Sequence, residues 1–324
     1  MSTGRAGHVT RSAFFPDPGT GRRTPLRRFL RTLDGVPIDS VYEPGAVVYD
    51  DGDVTGTPPS RGLVFVVAHG FTGDLERPHV RRVARAFARY GAVVTFSFRG
   101  HGASGGLSTV GDREVLDLAA AVAWARELGH TRVATVGFSM GGSVVLRHAA
   151  LHGAPGADGH GGGAGVRAGA ETSATVEAEA EADGVADADG VADAVVSVSA
   201  PARWFYRGTA PMRRLHWLVM RPAGRVVGRY GLRTRIHHRR WDPVPLSPVE
   251  AVPRIAPTPL LIVHGDQDGY FPVDHPRMLA TAAGGHGELW LEPGMGHAEN
   301  AADDELLGRI GAWAAAAASQ RQRT

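Results

Sequence analysis

The sequence predicts an α/β fold with a mostly parallel central sheet flanked by helices, and three observations carry that expectation. Leu63–Ala68 is apolar at every position, as in a strand covered on both faces, and residues 92–98 form a second such run. Residues 77–90 and 112–128 place apolar side chains at helical intervals, among them Val80, Val83, Ala84 and Phe87, then Val115, Leu118, Ala119 and Val122. Strand and helix that alternate in this way imply parallel strands joined by right-handed crossovers. Lastly, a β-branched run through Val133, Thr135 and Val136 enters Gly137-Phe138-Ser139-Met140-Gly141, followed by a helix-compatible segment over 143–148. The glycines flank the serine where a sharp strand-to-helix turn tolerates no side chain, and Ser139 then stands at a helix N-terminus.

Composition narrows the function. The chain has 324 residues, enough for one large domain with a real core, and its 43% hydrophobic and 21% charged content is ordinary for a globular protein. A net charge of +2 predicts no bulk attraction to nucleic acid. All 35 basic residues are arginine, which beside the abundant Ala, Gly and Pro points to a GC-rich coding bias. The absence of cysteine excludes disulfides, thiolate metal sites and cysteine nucleophiles. The first residues hold no apolar signal segment and no run approaches membrane-spanning length, so a cytoplasmic location is expected.

In chain order, residues 1–25 read as a flexible arm rich in Gly, Arg, Thr and Pro. Two strand-like runs around 29–33 and 36–42 are separated by Asp34-Gly35, a hairpin signal. The core is expected over 26–202 and 248–324. An insertion over about 153–190, made of Gly, Ala, Asp and Glu, interrupts it. That segment contains the repeat Ala182-Asp183-Gly184-Val185-Ala186-Asp187 and its copy over 188–193, and it cannot bury enough apolar surface to offset its ordering entropy. Disorder is expected there. Residues 203–241 carry eleven arginines and no carboxylate, interleaved with Trp204, Phe205, Tyr206, Trp217 and Trp241, and predict a basic amphipathic helix pair. Strands over 260–263 and 287–291, a helix over 274–283 and an Ala-rich helix over about 298–319 close the chain.

Acyl transfer needs a nucleophile, a base to take its proton, a carboxylate to orient that base, and donors for the oxyanion. Ser139, Asp268 and His297 each follow an expected strand, so all three lie on loops that open at one edge of a parallel sheet. Their order along the chain is Ser, Asp, His. Asp266, two residues earlier, is the rival acid. His69 and His264 end strands beside glycines and read as loop-bracing; Arg99 and Ser104 are expected to hold the turn that contains His101. His237-His238 lies among arginines with no third ligand at compatible spacing, so no metal or other cofactor is expected.

With these motifs the chain resembles the α/β-hydrolase fold superfamily, in particular its serine esterase, lipase and monoglyceride-lipase-like members. The matching pieces are His69-Gly70-Phe71-Thr72-Gly73, Phe98-Arg99-Gly100-His101-Gly102-Ala103-Ser104, Gly137-Phe138-Ser139-Met140-Gly141, His264-Gly265-Asp266-Gln267-Asp268 and Gly296-His297. The resemblance implies Ser139 as nucleophile, His297 as base, Asp268 as orienting acid, and an oxyanion hole from the backbone N–H groups of Phe71 and Met140. The family pattern selects Asp268 over Asp266, which is left as a turn residue. It also implies that residues 203–247 form a cap. The expected reaction is cleavage of a carboxylic ester or related acyl bond, on a small-molecule substrate that the cap arginines would favour as anionic or lipid-like, with peripheral membrane contact through the cap. An aminopeptidase, thioesterase, C–C hydrolase or acyltransferase would use the same triad, and a catalytically silent ligand-binding fold is the alternative outside the enzymes. The acidic insertion is complementary in charge to the cap and could gate it.

Overall fold

A computed structural model describes residues 24–45, 62–152 and 190–320. The arm over 1–25 lies almost wholly outside the described residues, as does the insertion but for Gly190. Among the described residues the sheet has eight strands: β1 (Leu26–Arg31), β2 (Pro37–Glu43), β3 (Leu63–Ala68), β4 (Ala92–Phe96), β5 (Arg132–Phe138), β6 (Ala194–Val198), β7 (Leu260–Gly265) and β8 (Gly287–Glu292). Their spatial order is β1-β2-β4-β3-β5-β6-β7-β8. The Asp34-Gly35 hairpin pairs β1 with β2 antiparallel, and β2 is antiparallel to β4; every later pairing is parallel.

The apolar runs are strands because both faces are covered. Along β3, Val64, Val66 and Ala68 face one layer and Leu63, Phe65 and Val67 the other. The first layer is built by α2 (Glu114–Glu127) and α3 (Met140–His152), through Leu118, Val122, Trp124, Val145 and Leu146. The second is built by α1 (Pro78–Phe87) and a long C-terminal helix over Asp304–Gln320, through Val83, Phe87, Leu307 and Ile310. Proline sits in the first turn of α1, where no N–H is needed, and Val80, Val83, Ala84 and Phe87 give it one buried stripe.

The arginine-rich stretch forms two helices joined at Arg221, α4 (Ala210–Met220) and α5 (Pro222–Gly231). Thr209 caps α4 by accepting the Met212 N–H at 3.4 Å. Residues after α5 run along the loop that follows β4: Arg235 N–H donates to the Gly100 carbonyl and His237 N–H to that of Ser108, both at 2.8 Å. Trp241 Nε1–H reaches the Thr109 carbonyl at 2.7 Å. The arginine-rich stretch is thereby tied to the sheet edge where the parallel strands end. Beyond it lie the short α6 (Pro248–Ala251), then α7 (Asp274–Ala283), and the closing segment. That segment, expected as one helix, is two: α8 (Ala298–Ala301) and α9 (Asp304–Gln320), because Asp303 Oδ1 accepts the Leu306 N–H at 2.8 Å and so starts a new helix. Among the described residues no helix is long and apolar enough to cross a membrane.

Candidate active site

Strand β5 delivers Ser139 on a turn that only this sequence pattern permits. Ser139 adopts φ +53°, and its N–H donates to the Val198 carbonyl at 2.8 Å. A Cβ on Gly137 would collide with the backbone of Gly141, and one on Gly141 with the backbone of Ala68. The two glycines therefore let α3 start hard against β3 and β5, with the half-buried serine at its N-terminus.

The loops after β7 and β8 bring two further groups to the serine. His297 Nε2 lies 2.9 Å from Ser139 Oγ, and His297 Nδ1 lies 2.7 Å from Asp268 Oδ2. A carboxylate only accepts, so Nδ1 carries the proton and donates to Asp268, which leaves Nε2 as the acceptor for the serine hydroxyl. The Asp268 side chain is fully buried, while that of His297 keeps 17% exposure. Asp268 Oδ1 accepts the Tyr270 and Phe271 N–H groups at 2.8 and 3.1 Å. Burial opposes ionisation of Asp268, but the hydrogen bond and charge of His297 and the Phe271 amide hold its pKa below the ordinary carboxylate range. Asp266, the rival acid, points elsewhere and accepts the Gly294 N–H at 2.7 Å, a turn contact.

Two neighbours of His297 were not singled out from the sequence. Tyr270 stacks on its ring with centroids 4.2 Å apart, and Ser199 Oγ accepts the N–H of Ala298, which sits at φ +55°. Both fix where the imidazole can lie.

The loop after β3 turns at Gly70 beside the serine: a Cβ on Gly70 would stand 3.5 Å from Ser139 Cβ. Among the described residues no acceptor is found for the Phe71 or Met140 N–H, the two groups expected to face an oxyanion. Three buried side chains hold this loop. His69 Nε2 accepts the Phe98 N–H at 3.0 Å, so its Nδ1–H donates to the Gly70 carbonyl at 2.7 Å. His101 Nε2 accepts the Thr72 N–H at 3.3 Å. Burial, with His101 close by, pushes the pKa of His69 down to about 3, and burial pushes His101 down to about 4. Both rings are neutral braces. The third is Glu299, a residue with no motif of its own: Oε1 accepts the Gly70 N–H at 3.1 Å, while Oε2 is buried without a partner.

His264, read as loop-bracing, donates Nε2–H to the Phe271 carbonyl at 2.8 Å. Arg99 fastens the 99–106 turn by hydrogen bonds to Asp117 and Asp34, and Ser104 Oγ donates to the Ser97 carbonyl. Among the described residues no set of three side chains is placed to hold a metal, and His237 and His238 stack on each other.

A cavity of about 950 Å³ lies between the arginine-rich stretch and the 106–113 loop, with walls that include Leu107, Val110, Phe205, Met212, Val219 and Trp241. None of Ser139, Asp268 or His297 lines it. Gly111, between the lining residues Val110 and Asp112, packs toward Trp204 and Met140: a Cβ there would lie 3.4 Å from the Trp204 ring and 3.9 Å from Met140 Cγ. The loop owes its shape to buried Glu114, which accepts from Ser108 Oγ, Thr109 Oγ1 and the N–H groups of Thr109, Val110 and Gly111.

Several solved structures share the fold. The esterase Pf2001 of Pyrococcus furiosus is 20% identical over 90% of this chain and 91% of its own, with a TM-score of 0.58. The alpha/beta hydrolase GrgF of Penicillium sp. sh18 is 16% identical over 91% and 99%, at 0.57. XC6422 of Xanthomonas campestris, a serine hydrolase without a lid, is 16% identical over 95% and 97%, at 0.50. No curated protein matches the chain by sequence. The model of the alpha/beta hydrolase family, in contrast, matches residues 63–308, which hold the Ser139 turn and the loops of Asp268 and His297, and the chain belongs to that family.

Proposed function

We propose that the protein is a serine hydrolase that cleaves a carboxylic ester through an acyl-enzyme. The observation that carries this reading is the continuous hydrogen-bond chain from Ser139 Oγ through His297 to Asp268. His297 Nε2 takes the hydroxyl proton as Ser139 Oγ attacks the ester carbonyl carbon. The Phe71 and Met140 N–H groups receive the oxyanion, and Asp268 stabilises the imidazolium. Collapse of the tetrahedral intermediate breaks the bond to the alkoxy group, which leaves with the proton from His297. Water then attacks the acyl-enzyme, gives its proton to His297, and restores the serine hydroxyl as the acid departs.

Residues 203–247 act in this reading as a cap over a core of 26–202 and 248–324. The cavity beneath it would take the acyl part of the substrate against Leu107, Val110, Phe205, Met212 and Val219, while Arg207, Arg239 and Arg240, which also line it, would meet any anionic group. Several solved neighbours carry esterase in their names, among them Pf2001 and an esterase domain from Rhodothermus marinus, which supports an ester over an amide as the first substrate to try. A p-nitrophenyl ester series of rising acyl length, run beside acyl-CoAs and amino-acid amides, tests the reading. Turnover of at least one ester, lost by about 10³-fold or more in Ser139→Ala, is the expected result. An ester rate equal in wild type and Ser139→Ala would sink it.

A further inference from the structure

Helix α5 is packed inside out. Its buried positions are Gly224 and Gly228, four residues apart. A Cβ at Gly224 would lie 2.5 Å from the Trp217 carbonyl oxygen, so the glycines let α5 lie flush on α4. Val226 and Tyr230 follow each glycine by two residues, about 200° round the helix, and so point directly away from the protein. They are 57% and 76% exposed, with Val227 beside them at 48%. On α4, Trp217 does not line the cavity and is 49% exposed, whereas Met220, at 38%, lies at the cavity margin. A folded chain that turns valines outward and glycines inward leaves an apolar face unpartnered.

Charge says what covers that face. Arg214, Arg221, Arg229 and Arg233 surround it, all exposed, and none has a carboxylate partner among the described residues. Arg229 lies over the Tyr230 ring at 5.7 Å, which keeps a cation at the margin of the apolar patch. Aliphatic side chains and aromatics ringed by arginine, with no acid from 203 to 241, match the interfacial region of an anionic bilayer. There the apolar groups enter the acyl boundary and the guanidinium groups meet phosphate.

We propose that α4 and α5 form a docking surface for an anionic lipid membrane. Met212 and Val219, on the other side of α4, line the cavity, so docking sets the cavity roof at the lipid surface. The surface is separate from Ser139 and its partners, and binding does not depend on the chemistry there.

The test is flotation of the full chain with phosphatidylcholine vesicles and with equal mixtures of phosphatidylcholine and phosphatidylglycerol. The expected result is partition onto the mixed vesicles, shared by Ser139→Ala, and weakened as salt rises from about 0.1 M to about 0.5 M. Val226→Asp with Tyr230→Asp should weaken it by at least about tenfold. Arg221→Ser, Arg229→Ser and Arg233→Ser together should weaken it by roughly a hundredfold. All five positions are exposed, so circular dichroism should show both variants folded. No partition onto mixed vesicles, or equal partition of wild type and either variant, overturns the proposal. So does a stable dimer that the Val226→Asp, Tyr230→Asp variant abolishes without any vesicle binding, which would make the face a contact between two copies.

Discussion

Glu299 stands two residues beyond His297 and accepts the N–H of Gly70, the residue before Phe71. In the proposed reaction it therefore sets the angle of the neighbouring Phe71 amide toward the oxyanion, and Arg82 braces it by donating to its backbone carbonyl at 2.9 Å. In Glu299→Ala the Gly70 N–H loses its acceptor and the loop is freed. The expected outcome is a fall in kcat of roughly ten- to a hundredfold with KM little changed, while Glu299→Gln, which keeps an acceptor at the same reach, stays within about a few-fold of wild type. Steady-state kinetics of both variants on one ester checks this, and wild-type kcat in Glu299→Ala would contradict it. Ser139, Asp268 and His297 were legible because each sits at the end of an apolar run beside glycine or in a short loop. Glu299 was not, since its meaning lies in a partner 229 residues away and its own neighbourhood, His297-Ala298-Glu299-Asn300, reads as an ordinary helix start.

Among the elements, the central strands were the most legible, because burial on both faces leaves few polar positions in the run. Their ends were less so. Apolar character continues to Phe98, but the chain leaves β4 after Phe96, where Ser97 Oγ turns to accept the Leu75 N–H at 3.1 Å. The α4–α5 pair was expected as basic and amphipathic, but nothing in that pattern says that α5 turns its valines outward and its glycines inward. Backbone contact at two glycines replaces side-chain packing there, and hydrophobic periodicity carries no sign of which face turns inward. The 108–111 loop is a similar case. Its order comes from five hydrogen bonds to one buried carboxylate, Glu114, and no local composition announces that.

At the scale of the whole molecule, the loops around the parallel strand ends are held by histidines kept neutral in the interior. His69 and His101 have folded-state pKa values of about 3 and about 4, and burial lowers His148, His264 and His275 as well. The unfolded chain takes up protons at these rings near the ordinary value of about 6.5 while the folded chain does not. Acidification below that value therefore favours unfolding, at up to about 1.4 kcal/mol per pH unit for each ring. His69 and His101 alone should remove on the order of 3 kcal/mol between pH 6.5 and pH 5. Urea midpoints across that range check the expectation, and equal midpoints at pH 7 and pH 5 would contradict it.

The proposed reaction requires that Ser139, His297 and Asp268 act as one unit. Its most direct test is intact-protein and peptide mass spectrometry after treatment with a fluorophosphonate, which reacts only with an activated serine. A single adduct on Ser139 is expected in the wild type, with labelling slowed by more than about a thousandfold in His297→Ala. A folded wild-type protein that stays unlabelled, or His297→Ala labelled at the wild-type rate, would contradict it.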